Sequence, residues 1–166
     1  MHPVAEPEIR ASFVNCSQGE AKRLPVPREL ETLPWDDLDF LGWRDPRGSD
    51  RAYLVAPVGD GLVGITLRAA TARIGFVRRS VCSLCLTTHT GSGVVLMTAP
   101  KAGTEGRQGA SAGVYLCSDL ACSLYLRGRR SPASGERMRE TLTLEDQVAR
   151  LHLNLEAFLR DLGVPS

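Results

Sequence analysis

Cys82 and Cys85 are separated by two residues, Cys117 and Cys122 by four, and 31 residues lie between the pairs. Within each pair two thiolates can reach one ion. Zinc favours four such ligands in a tetrahedron, and a closed shell of cysteines leaves no position for water or substrate. The spacing predicts one structural Zn2+ held by Cys82, Cys85, Cys117 and Cys122, and no catalytic metal. Buried free thiols explain a lone cysteine well and two close-spaced pairs poorly. His89, four residues after Cys85, can act as a substitute ligand, although four cysteines already close the shell. Cys16 lies far from both pairs and reads as a buried or partly buried thiol.

Other chemistry is sparse. The chain has no Gly-rich phosphate loop of the required pattern, no His-Glu metalloprotease helix and no serine nucleophile elbow. His2, His89 and His152 fall into no recognisable triad. The expectation is a protein that is not an enzyme and has no small-molecule substrate.

Charge is uneven. From Arg68 to Arg139 there are eleven basic and three acidic residues, a formal +8, while the remainder carries nine basic and sixteen acidic, a formal −7. A positive zinc module beside an acidic remainder suggests an anionic partner, protein or nucleic acid. As a protein-binding surface the module offers Arg78, Arg79, Leu84, Leu86, Arg127, Arg129 and Arg130, arginines with apolar anchors. As an RNA-binding module, for ribosomal or other RNA, it is supported by the basic excess and opposed by few aromatic rings near the arginines, namely Phe76, Tyr115 and Tyr125.

At 166 residues the chain is long enough for a core of its own. No apolar run reaches the ~18–20 residues of a membrane span. Met1 to Arg10 lacks a basic start followed by an apolar stretch, so no signal peptide is expected. A reducing, cytoplasmic compartment follows, where thiols and a metal are the consistent pair.

The elements that must position the cysteines can be read in part. Glu6 to Asn15 predicts a short helix with Ile9 and Phe13 on one face, Gly19 to Arg23 a further turn, and Leu24-Pro25-Val26-Pro27 an extended connector. Residues 1–27 thus form a helical lead-in packed on a domain of residues 28–166. Pro34 to Trp43 concentrates both tryptophans and reads as core, with Asp36, Asp37 and Asp39 in turn and capping roles. Ala52 to Val58 and Leu62 to Arg68 predict strands joined through Gly59-Asp60-Gly61. Arg73 to Val81 leads into the first cysteine pair. Val94 to Ala99 predicts a strand, Ala102 to Gly113 a mobile loop, and Val114 to Leu116 a strand running into Cys117. Ser118-Asp119 can cap a short helix containing Cys122. Leu144, Val148, Leu151, Leu155, Phe158, Leu159 and Leu162 mark a long C-terminal helix, capped by Thr143 and stopped by Gly163 and Pro165, with His152 at the stripe's edge. Knuckle, hairpin, then helix is the treble-clef order. The fold class is α+β, an antiparallel sheet with a treble-clef zinc finger and a long C-terminal helix.

Two segments carry a resemblance. Ile9-Arg10-Ala11-Ser12-Phe13-Val14-Asn15-Cys16-Ser17-Gln18-Gly19-Glu20-Ala21 resembles the lead-in of the C-terminal domain of the elongation-factor-G-binding, fusidic-acid-resistance (FusB-type) family. Leu33 to Trp43 is similar to its actinobacterial, single-domain branch, and the two cysteine pairs match its treble-clef site. The resemblance covers roughly Glu6 to Ser166. It implies an α/β C-terminal domain that docks on elongation factor G and, in full members, helps release that factor from the ribosome when fusidic acid has trapped it. Only the zinc ligands transfer residue by residue, onto Cys82, Cys85, Cys117 and Cys122.

Overall fold

The computed structural model describes residues 1–48, 50–70, 79–132 and 140–164. Its centre is a five-stranded antiparallel sheet in the order β1-β2-β3-β6-β7, formed by β1 (Leu41–Arg44), β2 (Arg51–Val58), β3 (Gly61–Ala69), β6 (Val94–Pro100) and β7 (Ser111–Cys117). A two-stranded sheet, β4 (Arg79–Val81) with β5 (Thr88–Thr90), stands beside it. The α+β class expected from the sequence is the observed one.

Side chains alternate across a strand, so each strand serves two faces. On one face Ala52, Leu54 and Ala56 of β2 meet Ile65 and Leu67 of β3. On the other lie Tyr53 and Val55 of β2 with Leu41 and Trp43 of β1. Ala52 to Ala56 is therefore buried on both sides, which is why the run is almost unbroken in apolar residues. Gly59-Asp60 turns β2 into β3, with Val58 opposite Gly61 and Gly59 in the left-handed region at φ 54°.

The second face is covered by α1 (Glu6–Ala11) and α2 (Gln18–Arg23) of the lead-in together with a later 3-10 turn over Trp35–Asp37. The helix expected from Glu6 to Asn15 ends earlier, because the chain after Ser12 joins the sheet. Gly64 N–H donates to Ser12 O at 2.9 Å, and Val14 N–H donates to Gly64 O at 3.0 Å. Only glycine allows that approach, since a Cβ on Gly64 would sit 2.5 Å from Ser12 Oγ. Asn15 then clips the next residue pair: its Oδ1 accepts from Thr66 N–H at 2.8 Å and its Nδ2 donates to Thr66 O at 3.0 Å. α2 starts where Ser17 and Glu20 cap each other reciprocally. Phe13 meets Trp43 and Tyr53 edge-on, at centroid distances of 6.4 and 6.2 Å.

The first face is covered by the cysteine-bearing segments and by α5 (Leu144–Asp161) through Leu151, Leu155, Phe158 and Leu159. Thr143 caps α5 by accepting from Asp146 N–H, and Gly163 at φ 77° ends it. The inward stripe departs from expectation at its start. Leu144 is exposed, and Gln147 is buried instead, its amide donating to Leu142 O at 2.9 Å. Ala102 to Gly113 is not a structureless loop: it holds α3 (Gly103–Arg107) and the start of β7. Arg73 to Arg78 and Pro165 lie outside the described residues. Among the described residues no helix is long and apolar enough to cross a membrane.

Candidate metal centre

Arg79 faces Thr90, Ser80 faces His89 and Val81 faces Thr88, so Cys82 to Thr87 is the turn of the β4–β5 hairpin. Cys82 N–H donates to Thr87 O at 3.0 Å and Leu86 N–H to Cys82 O at 3.0 Å, which folds the first cysteine pair into a knuckle. β6 and β7 deliver the second pair: Val94 lies opposite Cys117, the last residue of β7. Leu120 N–H returns to Cys117 O at 2.9 Å, and Asp119 Oδ1 accepts from Ala121 N–H at 3.1 Å. That turn starts α4 (Cys122–Leu126), whose first residue is the fourth cysteine. Ser118-Asp119 therefore builds the turn rather than capping the helix, for the residue preceding α4 is Ala121.

Leu86 and Leu120 each close the turn after the leading cysteine of a pair, and both adopt the left-handed backbone, at φ 55° and 58°. A non-glycine residue gives up about 1–2 kcal/mol there. Leu120 is buried in the core and Leu86 half-buried, so packing and the returned hydrogen bonds hold them.

The four sulphurs all lie within 4.8 Å of one another and all four residues are buried. Cys82 Sγ is 3.7 Å from Cys122 Sγ, and Cys85 Sγ 3.6 Å from Cys117 Sγ. A tetrahedron with Zn–S near 2.3 Å has sulphur–sulphur edges of about 3.8 Å. Without a metal, hydrogen bonds from Cys117, Cys122 and Cys85 favour ionisation of Cys82, while Cys117, Cys82 and Cys85 disfavour that of Cys122. A divalent cation at the centre would let all four ionise together. The donor set is soft, closed and dry, which fits one structural Zn2+.

Residues 8–162 match the family model of the FBP C-terminal treble-clef zinc-finger. The chain belongs to this family. The FBP-type zinc finger here also shares its fold with the solved structure of the fusidic acid resistance protein FusC, at TM-score 0.52 and 18% identity. That likeness covers 86% of this chain and 52% of the FusC chain, so this chain spans about half of FusC. No curated protein matches the sequence.

The residues expected to form a basic contact surface differ in burial and pairing among the described residues. Leu84 is only 1% exposed, and its carbonyl accepts from Asn154 Nδ2 of α5 at 3.1 Å. It anchors the knuckle to the helix and offers nothing to a partner, which corrects its assignment as an exposed apolar anchor. Leu86 is half-buried, Arg79 is exposed, and Arg78 lies outside the described residues. Arg127 is mostly buried and grips Asp39 with two hydrogen bonds, at 2.6 and 2.8 Å. Arg129 pairs with Asp37 at 3.0 Å and Arg130 with Asp119 at 3.3 Å. Arg127 and Arg129 thus meet acids from outside the basic stretch, whereas the partner of Arg130 lies within it. Asp37, which ends the 3-10 turn, and Asp39, in the bend after it, are ion-pair partners as well, and Asp39 also lies 3.5 Å from His152 Nε2.

Tyr115, expected only as one of the few rings near the arginines, is placed beside the metal centre. It is 55% exposed on the edge strand, and its carbonyl accepts from Ser83 N–H of the knuckle at 2.7 Å. Cys16 is half-buried and lines a cavity of about 540 Å³ with Asn15, Arg51, Arg68, Lys101 and Arg107. Burial, then Glu20, push its thiol pKa up, which disfavours the reactive thiolate.

Proposed function

We propose that this chain is a zinc-stabilised adaptor that binds translation elongation factor G and promotes its release from the ribosome, with Cys82, Cys85, Cys117 and Cys122 as the ligands of its one structural Zn2+. Family membership over residues 8–162 supports factor binding, and the fold shared with the fusidic acid resistance protein FusC points the same way. Such a partner places the protein in the cytoplasm, and the reading assigns it no catalytic step.

The observation that carries the contact surface is Tyr115, a large exposed aromatic whose backbone is tied to the zinc knuckle through Ser83. Val81, 48% exposed, stands at the entry to the same knuckle, immediately before Cys82. Aromatic anchors on a backbone that is already ordered dominate interface energetics, because little further ordering is required on binding. The metal's part is to fix that backbone.

Calorimetric titration of the zinc-loaded protein against elongation factor G tests the reading. Saturable one-to-one binding is expected. Tyr115→Ala should weaken it at least tenfold, about 1.4 kcal/mol, with zinc content and melting temperature unchanged. Zinc-replete protein that shows no binding at all would remove the adaptor reading, whereas unchanged affinity in the variant would move the surface elsewhere. Dissociation of the factor from ribosomes stalled with fusidic acid then reads the release step.

A further inference from the structure

A zinc held by four thiolates carries a net charge of −2, and here it is enclosed by buried residues. Buried charge has to be met by donors at close range. Among the described residues two side chains reach the sulphurs, one for each cysteine pair. Thr87 Oγ1 lies 3.2 Å from Cys85 Sγ, and His89 Nε2 lies 3.3 Å from Cys117 Sγ.

The imidazole is held from several sides. His89 is 2% exposed and sits in β5 opposite Ser80. Its ring meets the ring of Tyr125 edge-on, with centroids 4.7 Å apart. Tyr125 is itself fixed, since its hydroxyl donates to Asp119 Oδ2 at 2.9 Å. On another side the backbone of Gly93 presses in: a Cβ there would stand 2.5 Å from His89 Cβ and 2.9 Å from its ring. A side chain clamped this firmly, with one nitrogen aimed at a sulphur, has a defined direction.

We propose that His89 is a positioning residue of the metal centre, whose Nε2–H donates to the Cys117 thiolate and thereby sets how firmly that sulphur holds zinc and how slowly it reacts with electrophiles. A hydrogen bond to a thiolate withdraws charge from the sulphur. That lowers its nucleophilicity and orients its lone pair, as outer partners of metal ligands do elsewhere. The inference rests on the zinc reading, so metal content is measured first.

His89→Phe keeps a ring against Tyr125 and removes the donor, while His89→Gln restores a donor on a different frame. With one zinc per chain established, transfer of zinc to an excess of chelator should be roughly 10–100-fold faster in His89→Phe. Mass spectrometry after iodoacetamide treatment should find Cys117 of that variant alkylated ahead of Cys82, Cys85 and Cys122. His89→Gln should recover most of the wild-type rate. Equal behaviour of the two variants, or a wild-type rate in His89→Phe, overturns the proposal. Should His89→Phe not fold, the wild-type protein decides by itself: histidine-selective nitrogen NMR of the zinc form should find the proton on Nε2, and a proton-free Nε2 facing the sulphur overturns the proposal. Protein without zinc would defeat the metal reading instead.

Discussion

One face of the five-stranded sheet is covered by pieces drawn from far apart in the chain, and the other by a nearly continuous segment. On the first, sulphurs 40 residues apart, Cys82 and Cys122, are brought to 3.7 Å, with α5 packed over them. On the second, Val4, Ile9, Leu24, Trp35 and Leu38 follow one another along the first 38 residues and pack with Trp43 of β1 on Tyr53 and Val55. The first covering concentrates its stability in one centre. The second spreads it over many apolar contacts and short capped helices, each worth little alone. Both coverings share β2 and β3, so they are joined through the sheet itself.

The largest expected effect comes from the zinc centre. Structural zinc contributes roughly 10–16 kcal/mol in finger peptides, on the order of a whole domain's stability of about 5–15 kcal/mol. Cys82→Ser, Cys117→Ser or a strong chelator should therefore unfold both faces together. Trp35 and Trp43 both report on the lead-in face. Their emission should shift in step with loss of far-ultraviolet ellipticity. Native emission after zinc loss would show that the lead-in face stands independently.

Trp43→Ala should weaken the lead-in face by about 3–5 kcal/mol in urea denaturation. Zinc should remain at one per chain. Metal lost in that variant would erase the distinction between a concentrated and a distributed covering.

Asp39 joins the two, because it follows the lead-in and meets α4: its N–H donates to Ser123 Oγ at 3.0 Å and its carboxylate holds Arg127. Removing one partner of a buried pair leaves the other charge stranded, so Asp39→Asn should lose about 3 kcal/mol at neutral pH. The pH dependence has a definite sign. Burial works to raise the Asp39 pKa, but hydrogen bonds from His152 and Arg127, with the Arg127 charge, outweigh it and hold the carboxyl well below the usual range. A depressed folded pKa stabilises fully above the unfolded value of about 3.9. That stabilisation is lost as pH falls through the folded value. The gap between wild type and Asp39→Asn should narrow as pH falls towards and below about 3.9, read by urea denaturation over the acid range in which zinc stays bound. A gap that does not narrow there would assign the loss to packing.

What could be read from the residues alone was short-range. Ligand pairs three and five residues apart announce a metal wherever the chain places them, and four cysteines specify a closed site. The β2–β3 hairpin and α5 were legible because their turn residues and periodic apolar positions act over one turn or one strand. Leu86 and Leu120 gave no sign of their left-handed backbone, which glycine or asparagine ordinarily marks. Asp39 and Arg127, 88 residues apart, could not be paired from their types. Nor could spacing tell that Leu84 points inward, that Tyr115 points outward, or that His89 meets Cys117 rather than the metal. Those outcomes depend on which strand lies beside which and in what register. Register is settled by the burial of both sheet faces at once, so only the assembled tertiary structure decides it.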